Sequence, residues 1–243
     1  MSDAGIDQGI DAGLLFAVSE ATWPSAARRV EGPFVLRDGA GGGKRVSSAL
    51  LAGPFSEAEL DRVEPLLGPK PLFQVTQGQD DLDAALERRG YGIVDPSIFY
   101  IAPVENVARK PKPVSLLGVW PPLAIQRQIW ADGGIGPARI AVMERAAGPR
   151  QAFVARFQNR AAGVGFVAIH KGVAMLHALH VEPAFRRQGV ARYMVQGMAD
   201  WAGQNGADQF SLIVTQRNSA ARGLYSSLGM AEACTYHYRE KTQ

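Results

Sequence analysis

The hydrophobic and polar positions between residues 151 and 181 predict three short strands in succession. The runs QAFVARFQ, AAGVGFVAIH and VAMLHALHV alternate or stay apolar, and turn residues at Asn159-Arg160 and Lys171-Gly172 separate them. This spacing is typical of an antiparallel meander. Pro183 follows the third run, and proline cannot continue a strand ladder.

After Pro183 the pattern changes to a helical period. From Gly189 onward, one stripe carries Val190, Met194, Val195, Met198, Trp201 and Ala202, which predicts a long amphipathic helix. A strand at 210–214, a helix at 219–228 and a last strand near 231–240 follow. Ahead of the meander, WPPLAIQRQIWADGG and GPARIAVMERAAG have helical spacing. Together these elements predict a mixed α/β fold with a mostly antiparallel sheet and flanking helices.

An internal repeat links the two halves of the chain. Residues 71–91 and 210–230 align without a gap at a displacement of 139 positions, and both predict a strand, a polar turn, a helix and a glycine cap at Gly90 or Gly229. Chance similarity of two strand–helix units is the alternative, but duplication better explains the ungapped register. The proline-containing stretch 105–114 then becomes a linker between domains 1–104 and 115–243.

The first half adds three local predictions. RVSSALL has the alternation of a strand, and Ser56 with Glu59 has the spacing of a capping box that opens a helix. The run Gly39–Gly43 could resemble a phosphate loop. A strand and not a helix is predicted after it, so we expect a hairpin turn there.

Composition narrows the functional classes. The 243 residues are 47% hydrophobic and 20% charged, which is typical of a globular protein. A single cysteine, Cys234, excludes an internal disulfide and a cysteine-rich zinc site. The net charge of +3 is scattered, and no apolar run approaches the length of a membrane span. We therefore expect a cytoplasmic protein, monomeric or homodimeric, without nucleic-acid or membrane partners.

One stretch, HALHVEPAFRRQGVARYMV at residues 177–195, concentrates positive charge between a predicted strand and a predicted helix. The first amides of a helix lack intrahelical partners and carry partial positive charge, so they favour anions such as phosphate. Gly189 would let the backbone approach a ligand closely. The arginines Arg186, Arg187 and Arg192 would add charge for a diphosphate, although a solvated helix start is the simpler alternative.

In this context the residues LHVEP and RRQGVA resemble motif A of the GNAT family of N-acetyltransferases. The later residues Asn218, Ala221, Leu224-Tyr225 and Leu228-Gly229-Met230 resemble the second block of that family. The resemblance covers roughly residues 115–240. It implies acetyl-CoA as co-substrate, no metal, and the amine of a small molecule or peptide as acceptor.

The resemblance also implies roles for individual residues. Tyr225 would donate a proton to the departing thiolate, although it could instead be a core aromatic. Asn218 would contact CoA, and it could also serve as a helix cap. The expected CoA-binding set comprises Leu179 and Val181 along the pantetheine, with a bulge or splay near 178–181, and Arg186, Arg187, Gln188, Gly189, Val190, Ala191, Arg192 and Asn218.

The general base is less clear from the sequence. The positions where family members carry a carboxylate hold His177 and Met175 here. His177 titrates near neutrality and is the candidate base, with His180 and Glu182 as rivals. A packed, hydrogen-bonded strand histidine is the alternative for His177, and water or backbone carbonyls could also take the proton.

The displaced repeat places Gln79 opposite Asn218 and Leu86 opposite Tyr225, and no arginine–glycine loop precedes the corresponding helix. The first half thus resembles a degenerate GNAT-like domain, which could bound the acceptor site. The helical stretches within 122–146 should wall that site. An acidic pocket would suggest polyamine or aminoglycoside acceptors, and an arginine-lined pocket an amino acid. The sequence predicts a tandem GNAT-fold N-acetyltransferase; a CoA-binding regulatory protein without turnover is the alternative.

Overall fold

The computed structural model, which describes residues 11–241, follows the amphipathic pattern of the sequence closely. The first half contains α1 (Ala12–Thr22), β1 (Ala27–Glu31), β2 (Phe34–Asp38), α2 (Lys44–Ser47), β3 (Ala49–Leu51), α3 (Glu57–Val63), β4 (Leu72–Thr76), α4 (Asp80–Arg88) and β5 (Tyr91–Pro103). The second half contains α5 (Val104–Val107), β6 (Leu116–Val119), α6 (Ala124–Asp132), α7 (Pro137–Arg145), β7 (Arg150–Phe157), β8 (Arg160–His170), β9 (Val173–Val181), α8 (Val190–Gln204), β10 (Gln209–Thr215), α9 (Ser219–Ser226) and β11 (Ala231–Lys241). Short 3₁₀ turns lie at Glu64–Leu67 and Pro183–Phe185.

Within the described residues, eleven strands form one open sheet in the order β1-β2-β3-β4-β11-β5-β10-β9-β8-β7-β6. Alternate residues of a strand point to opposite faces, and helices cover both faces of the second half. The apolar stripe of α8 packs on one face with Phe153 and Leu176. Helices α6 and α7 pack on the other face with Val154 and Phe166. The predicted mixed α/β fold with flanking helices is confirmed.

The last strand of each half pairs with strands of the other half. Strand β5 lies between β10 and β11, and β11 lies between β4 and β5. The pairings β10·β5, β11·β4 and β11·β5 are all antiparallel. The two halves therefore share the centre of a single sheet.

We call this pairing of β5 and β11 with strands of the other half the exchange of strands. Its register repeats the displacement of 139 positions found in the sequence. Ser211 lies opposite Ile101 in the pair β10·β5, and Leu72 lies opposite Glu240 in the pair β4·β11. Ser211 and Leu72 are 139 positions apart, and so are Glu240 and Ile101. At the middle of the pair β5·β11, Ser97 lies opposite Tyr236, which stands at the same displacement. The sheet centre thus has approximate twofold symmetry.

Most local predictions are confirmed. Strands β7, β8 and β9 form the antiparallel meander, and Gly90 and Gly229 both have φ of +81° after their helices. The Glu59 carboxylate accepts from the Ser56 backbone N–H at 2.8 Å, as a capping box requires. The turn before β8 is one residue earlier than predicted, because Asn159 has a left-handed φ of 59° and Arg160 already begins the strand.

Two predictions in the first half are wrong. RVSSALL is not one strand, since residues 44–47 form the single helical turn of α2 and only Ala49–Leu51 is extended. The glycine run is not a hairpin turn but the connection from β2 into α2. Tertiary packing explains both, because Val46 is fully buried in the cluster that α6 and α7 form on the sheet. Packing of this kind overrides local alternation.

Helix α1 belongs to the first half in sequence but packs against the second half. Leu15 and Val18 are buried in a cluster with Val173 and Met175 of β9. The end of α1 therefore lies beside the same strand that precedes the arginine-rich loop, and it brings Thr22 and Trp23 next to His177. No helix among residues 11–241 is both long and apolar enough to cross a membrane.

Candidate active site

The candidate active site begins where β9 and β10 part. The parallel pairing of these strands ends at Leu176 opposite Leu212, although both strands continue. On the other side of β9 the register with β8 shifts between Val164 and Phe166, and Ala178 has a left-handed φ of 52°. The predicted bulge and splay near 178–181 are thus confirmed. The indole Nε1 of Trp130 holds the distorted segment by donating to the Ala178 carbonyl at 2.8 Å.

The loop after β9 delivers the backbone to the first turn of α8. Arg187 has φ of 61° and Gly189 has φ of 81°, and α8 begins at Val190 without a side-chain cap. A Cβ on Gly189 would meet no atom within 4 Å, so the space over this backbone is open. The amides of the first helical turn lack intrahelical partners and are therefore available to an anion in this space.

These features line an open groove of about 920 Å³ between α8 and α9. Nine of the ten predicted CoA-binding residues line it: Leu179, Val181, Arg186, Arg187, Gly189, Val190, Ala191, Arg192 and Asn218. Gln188 does not, because its side chain turns back to donate to the Ala184 carbonyl at 2.9 Å. The groove has the open backbone and the positive charge that the CoA diphosphate requires, so its residues fit this co-substrate.

Helix α9 forms the opposite wall of the groove. The Asn218 side chain caps this helix by accepting from the Ala221 amide at 3.1 Å, and it also lines the groove. Tyr225, two turns along, is 7% exposed and packs on the ring of Tyr100 with centroids 5.8 Å apart. Burial raises the pKa of Tyr225 to about 12, so its hydroxyl is protonated at neutral pH.

The groove continues through the sheet. A gap of about 220 Å³ lies between the diverging strands and shares Leu179, Asn218 and Tyr225 with the groove. Beyond it lies a chamber of about 380 Å³, which shares Arg45, His177, Ala178 and Thr215 with the gap. Groove, gap and chamber therefore form one path past the Tyr225 side chain.

His177 lies on this path but is 3% exposed and has both ring nitrogens engaged. The Thr22 hydroxyl donates to the Val18 carbonyl at 2.7 Å, so it accepts from His177 Nε2 at 2.9 Å. Arg45 Nη1 donates to His177 Nδ1 at 3.2 Å. Burial lowers the pKa of His177 well below its ordinary value, and the Arg45 charge lowers it further. His177 can accept a proton only after the Arg45 contact breaks.

Of the rival candidates, His180 lines the groove and Glu182 does not. The His180 Nε2 lies 3.9 Å from Glu182 Oε1, and burial lowers the pKa of His180 against the opposing charge of Glu182. A Cβ on Gly133 would lie 2.5 Å from the His180 ring, so this glycine admits the imidazole. Among the described residues, the buried Glu182 Oε1 has no hydrogen-bond partner.

The chamber contains residues that the sequence did not single out as functional. Trp23, Lys44 and Arg45 come from the first half and Arg139 comes from α7. The prediction that helical stretches within 122–146 wall the acceptor site did not single out Arg139. One signal was present in the sequence: Lys44 and Arg45 directly follow the glycine run, which was interpreted only as a turn.

The first half retains a groove at the position that the repeat predicts. It has a volume of about 710 Å³ and lies between the end of β3 and α4. Its lining includes Glu57 and Asp81, and Gln79 Nε2 donates to the Leu51 carbonyl at 3.2 Å. Arg88 lines this groove too, but its guanidinium is paired with Glu57 at 2.9 Å and is not free for a diphosphate. The side chain of Gln79 also takes a backbone acceptor that a pantetheine amide would use.

Comparisons with known proteins agree on the family. Residues 118–230 match the model of the acetyltransferase (GNAT) family. The uncharacterized N-acetyltransferase YobR of Bacillus subtilis (strain 168) is 24% identical over 242 residues, which cover 92% of this chain and 96% of the relative. Among the described residues, no group of histidine, cysteine and carboxylate side chains could hold a metal ion.

Solved structures show the same fold at low sequence identity. A GCN5-related N-acetyltransferase from Kribbella flavida superposes with a TM-score of 0.70 at 18% identity, covering 99% of this chain and 97% of that one. A tandem GNAT protein from the clavulanic acid biosynthesis pathway superposes with a TM-score of 0.56 at 11% identity, covering 86% and 78%. Residues 118–230 of the chain therefore match the GNAT family of acetyltransferases, whose members are by class acyltransferases.

Proposed function

We propose that the chain transfers the acetyl group of acetyl-CoA to the amine of a small molecule. The observation that carries this proposal is the path from groove to gap to chamber, because it lets a thioester lie between two separate binding spaces. The co-substrate enters from the groove and supplies the activated acyl group. The acceptor enters from the chamber, on the other side of the splayed strands.

The chain's own residues then have distinct tasks. The amides from Arg187 to Ala191 hold the diphosphate, with Arg186 and Arg192 adding charge. The exposed main chain of Leu179 and Val181 pairs with the pantetheine as an added strand pairs with a sheet edge. The Val181 carbonyl already accepts from Arg186 Nε at 3.0 Å, so Leu179 is the freer partner. Asn218 contacts CoA while it caps α9.

Tyr225 acts on the departing sulfur. The amine nitrogen bonds to the acyl carbon, the carbon–sulfur bond breaks, and the sulfur takes its proton with help from the Tyr225 hydroxyl. The amine releases one proton to solvent, which balances the reaction. We propose that residues 1–104 are a degenerate GNAT-like domain, joined through residues 105–114 to the catalytic domain 115–243. The first domain completes the sheet and lines the chamber.

A thermal-shift experiment with a matched control tests the CoA site. At a hundredfold excess over Kd, a ligand stabilises by ~2.7 kcal/mol, which corresponds to a rise in Tm of roughly 5–10 °C for a chain of this length. We expect acetyl-CoA to produce this rise in the wild type and not in Gly189→Trp. Gly78→Trp in the first-half groove is the control, because Gly78 has φ of 83° and equally open space.

The two variants therefore carry similar backbone strain and differ in the groove that they fill. No rise in the wild type at millimolar acetyl-CoA, or equal loss in both variants, would contradict the CoA site. Release of free thiol with a panel of amines then separates an enzyme from a CoA-binding regulator without turnover, since only the enzyme consumes the thioester.

A further inference from the structure

Two arginines near the candidate site, the buried Arg37 and the half-buried Arg45, differ in how many partners they have. Arg37 donates to the Ser48 carbonyl, the Ser48 hydroxyl, Gln74 and Glu20, which accounts for its guanidinium. Arg45, among the described residues, has a single hydrogen-bond partner, His177 Nδ1. The Arg45 guanidinium carries five N–H donors, and beyond the contact to His177 they have no protein acceptor among the described residues. The Arg45 side chain lines both the gap and the chamber.

The charges around the chamber do not balance. Lys44 is paired with Asp95 at 3.0 Å and with Glu240 at 3.3 Å, and Arg217 also pairs with Asp95. Arg139 and Arg45 have no carboxylate within 4.0 Å among the residues that the structure describes. The chamber is therefore lined by two guanidinium groups without a carboxylate partner, the half-buried Arg45 and the exposed Arg139, which lies close to Gly43.

An excess of positive charge discriminates among amines. A simple ammonium ion, or a polyamine, would be repelled by the two guanidinium groups. An amine that also carries a carboxylate would be attracted, because the two oxygens of a carboxylate match the planar fork of a guanidinium. Arg45 lines both the gap and the chamber. It is therefore the residue that links carboxylate binding in the chamber to the reaction in the gap.

We propose that the acceptor is an amine that carries a carboxylate, such as an amino acid, and that Arg45 and Arg139 bind this carboxylate in the chamber. His177 is then a positioning residue for Arg45: Trp23 stacks on its ring with centroids 4.9 Å apart, Thr22 fixes Nε2, and Nδ1 receives the guanidinium. This inference rests on the proposed acetyl transfer.

The same charges would help the acceptor to lose its proton. Nearby positive charge favours the neutral form of an amine, and only the neutral form can attack a thioester carbon. A guanidinium pair partly offset by one carboxylate therefore assists deprotonation without a side-chain base. The reaction can then proceed although both ring nitrogens of His177 are engaged in hydrogen bonds.

Matched acceptors test the carboxylate. The full-length protein, saturated with acetyl-CoA, is assayed for thiol release with L-amino acids, their carboxamides and their decarboxylated amines. We expect kcat/KM for the preferred amino acid to fall about 100-fold or more in both analogues, because a site built for a polar group rejects analogues that lack it. Equal turnover of the analogues, or a preference for an aminoalkyl phosphonate, would overturn the assignment.

Variants of Arg45 connect the preference to this residue. Arg45→Gln should lower kcat/KM for the amino acid about 30-fold, as loss of one half-buried charge pair does, and should lower that for the carboxamide by a smaller factor, because the carboxamide loses only the charge that assists deprotonation. Arg45→Lys should give an intermediate loss, since it keeps the charge without the fork. Arg127→Gln is the control, because Arg127 pairs with Glu144 outside the chamber. Equal loss for acid and carboxamide would contradict the proposal.

His177→Gln separates positioning from base catalysis. A positioning role predicts that KM for the amino acid rises about tenfold with kcat nearly unchanged, and that KM for the carboxamide does not move. A base would instead lower kcat for both acceptors alike, which would overturn the positioning role. If His177→Gln fails to fold, Thr22→Val should give a smaller change of the same kind, because it removes the Nε2 partner and the hydrogen bond to the Val18 carbonyl but keeps the imidazole and its Nδ1 contact with Arg45.

The experiment also separates the inference from the function on which it rests. Thiol release that proceeds as well with plain amines leaves the acetyl transfer intact and rejects the carboxylate. No release with any amino acid rejects the carboxylate as well, and the acetyl-CoA thermal shift then reports independently whether the CoA site survives.

Discussion

Removal of the Tyr225 hydroxyl offers the sharpest test of the chemistry. Tyr225→Phe keeps the ring, which packs on Tyr100 and is 7% exposed. We therefore expect the free energy of unfolding to change by less than ~1 kcal/mol, the typical contribution of one hydrogen bond. Any larger change in rate then reports on the hydroxyl itself.

The raised pKa of Tyr225 sets the size of the effect. An alkyl thiol such as cysteine has a pKa near ~8.5, whereas burial raises the pKa of Tyr225 to about 12. Full proton transfer to the thiolate would thus run uphill by ~4.8 kcal/mol at ~1.36 kcal/mol per pKa unit. Hydrogen-bond donation to the developing charge remains, and such bonds contribute ~1.5–3 kcal/mol. We expect kcat to fall about 10- to 150-fold.

The assay follows free thiol at saturating acetyl-CoA and acceptor between pH 7 and 10. Activity that needs the protonated phenol is lost only as pH rises through about 12, so the wild type should show no decline from Tyr225 in this range. A decline near pH 10 that Tyr225→Phe abolishes would refute the raised pKa. A change below threefold in kcat, or one confined to KM, would refute the role of the hydroxyl.

Three further predictions concern stability. Residues 115–243 expressed alone should give no cooperative unfolding transition by circular dichroism, because β5 is missing between β10 and β11; a folded fragment would contradict the exchange. Asp83→Asn should lower the urea-derived free energy of unfolding at pH 7 by ~3 kcal/mol, since it leaves the 4% exposed Arg239 without its bidentate partner. Folding lowers the pKa of Asp83 from 3.8 to about 2, so the wild type loses stability as pH falls through this range. Asp83→Asn should lack this pH-dependent loss. His177 has a lowered pKa in the folded state, so it should contribute a loss of stability as pH falls below 6.5, and His177→Gln should lack this contribution in matched urea titrations.

The groove was predictable because its residues are close in sequence. Strand β9, the arginine-rich loop and the start of α8 span residues 173–192, and the order strand, glycine, helix already determines where free amides point. The splay near 178–181 was expected from the family resemblance, which implies that the pantetheine arm pairs with this strand. Helix periods and glycine caps are equally local, which is why α8, α9 and the turns after them agree with the sequence pattern.

The chamber was not predictable, since its residues come together only through the tertiary fold. Arg45 and His177 are 132 positions apart and meet because α1 and α2 pack on the second half. Nothing in the alternation of residues 45–51 indicates that Val46 is buried against helices rather than in a strand. The path through the sheet could therefore be identified only from the three-dimensional structure.

The exchange of strands was hidden for a different reason. The repeat gives β4 and β10 similar patterns, and it does the same for β5 and β11. Pairing within each half and pairing between the halves then satisfy the same alternation of apolar and polar positions. The hydrophobic pattern alone cannot choose between them, and the choice depends on the loops and on how α5 crosses from β5 to the second half.

The interleaved centre of the sheet also constrains how the protein is made. During synthesis the first half emerges from the ribosome long before Ala231–Lys241 exists, yet β4 can gain its second neighbour only from that segment. Until Ala231–Lys241 has been translated, β4 and β5 keep open edges that invite pairing with other nascent chains. A premature stop just before this segment would thus leave the beginning of the protein unfinished, and long-range pairing of this kind predicts slow maturation.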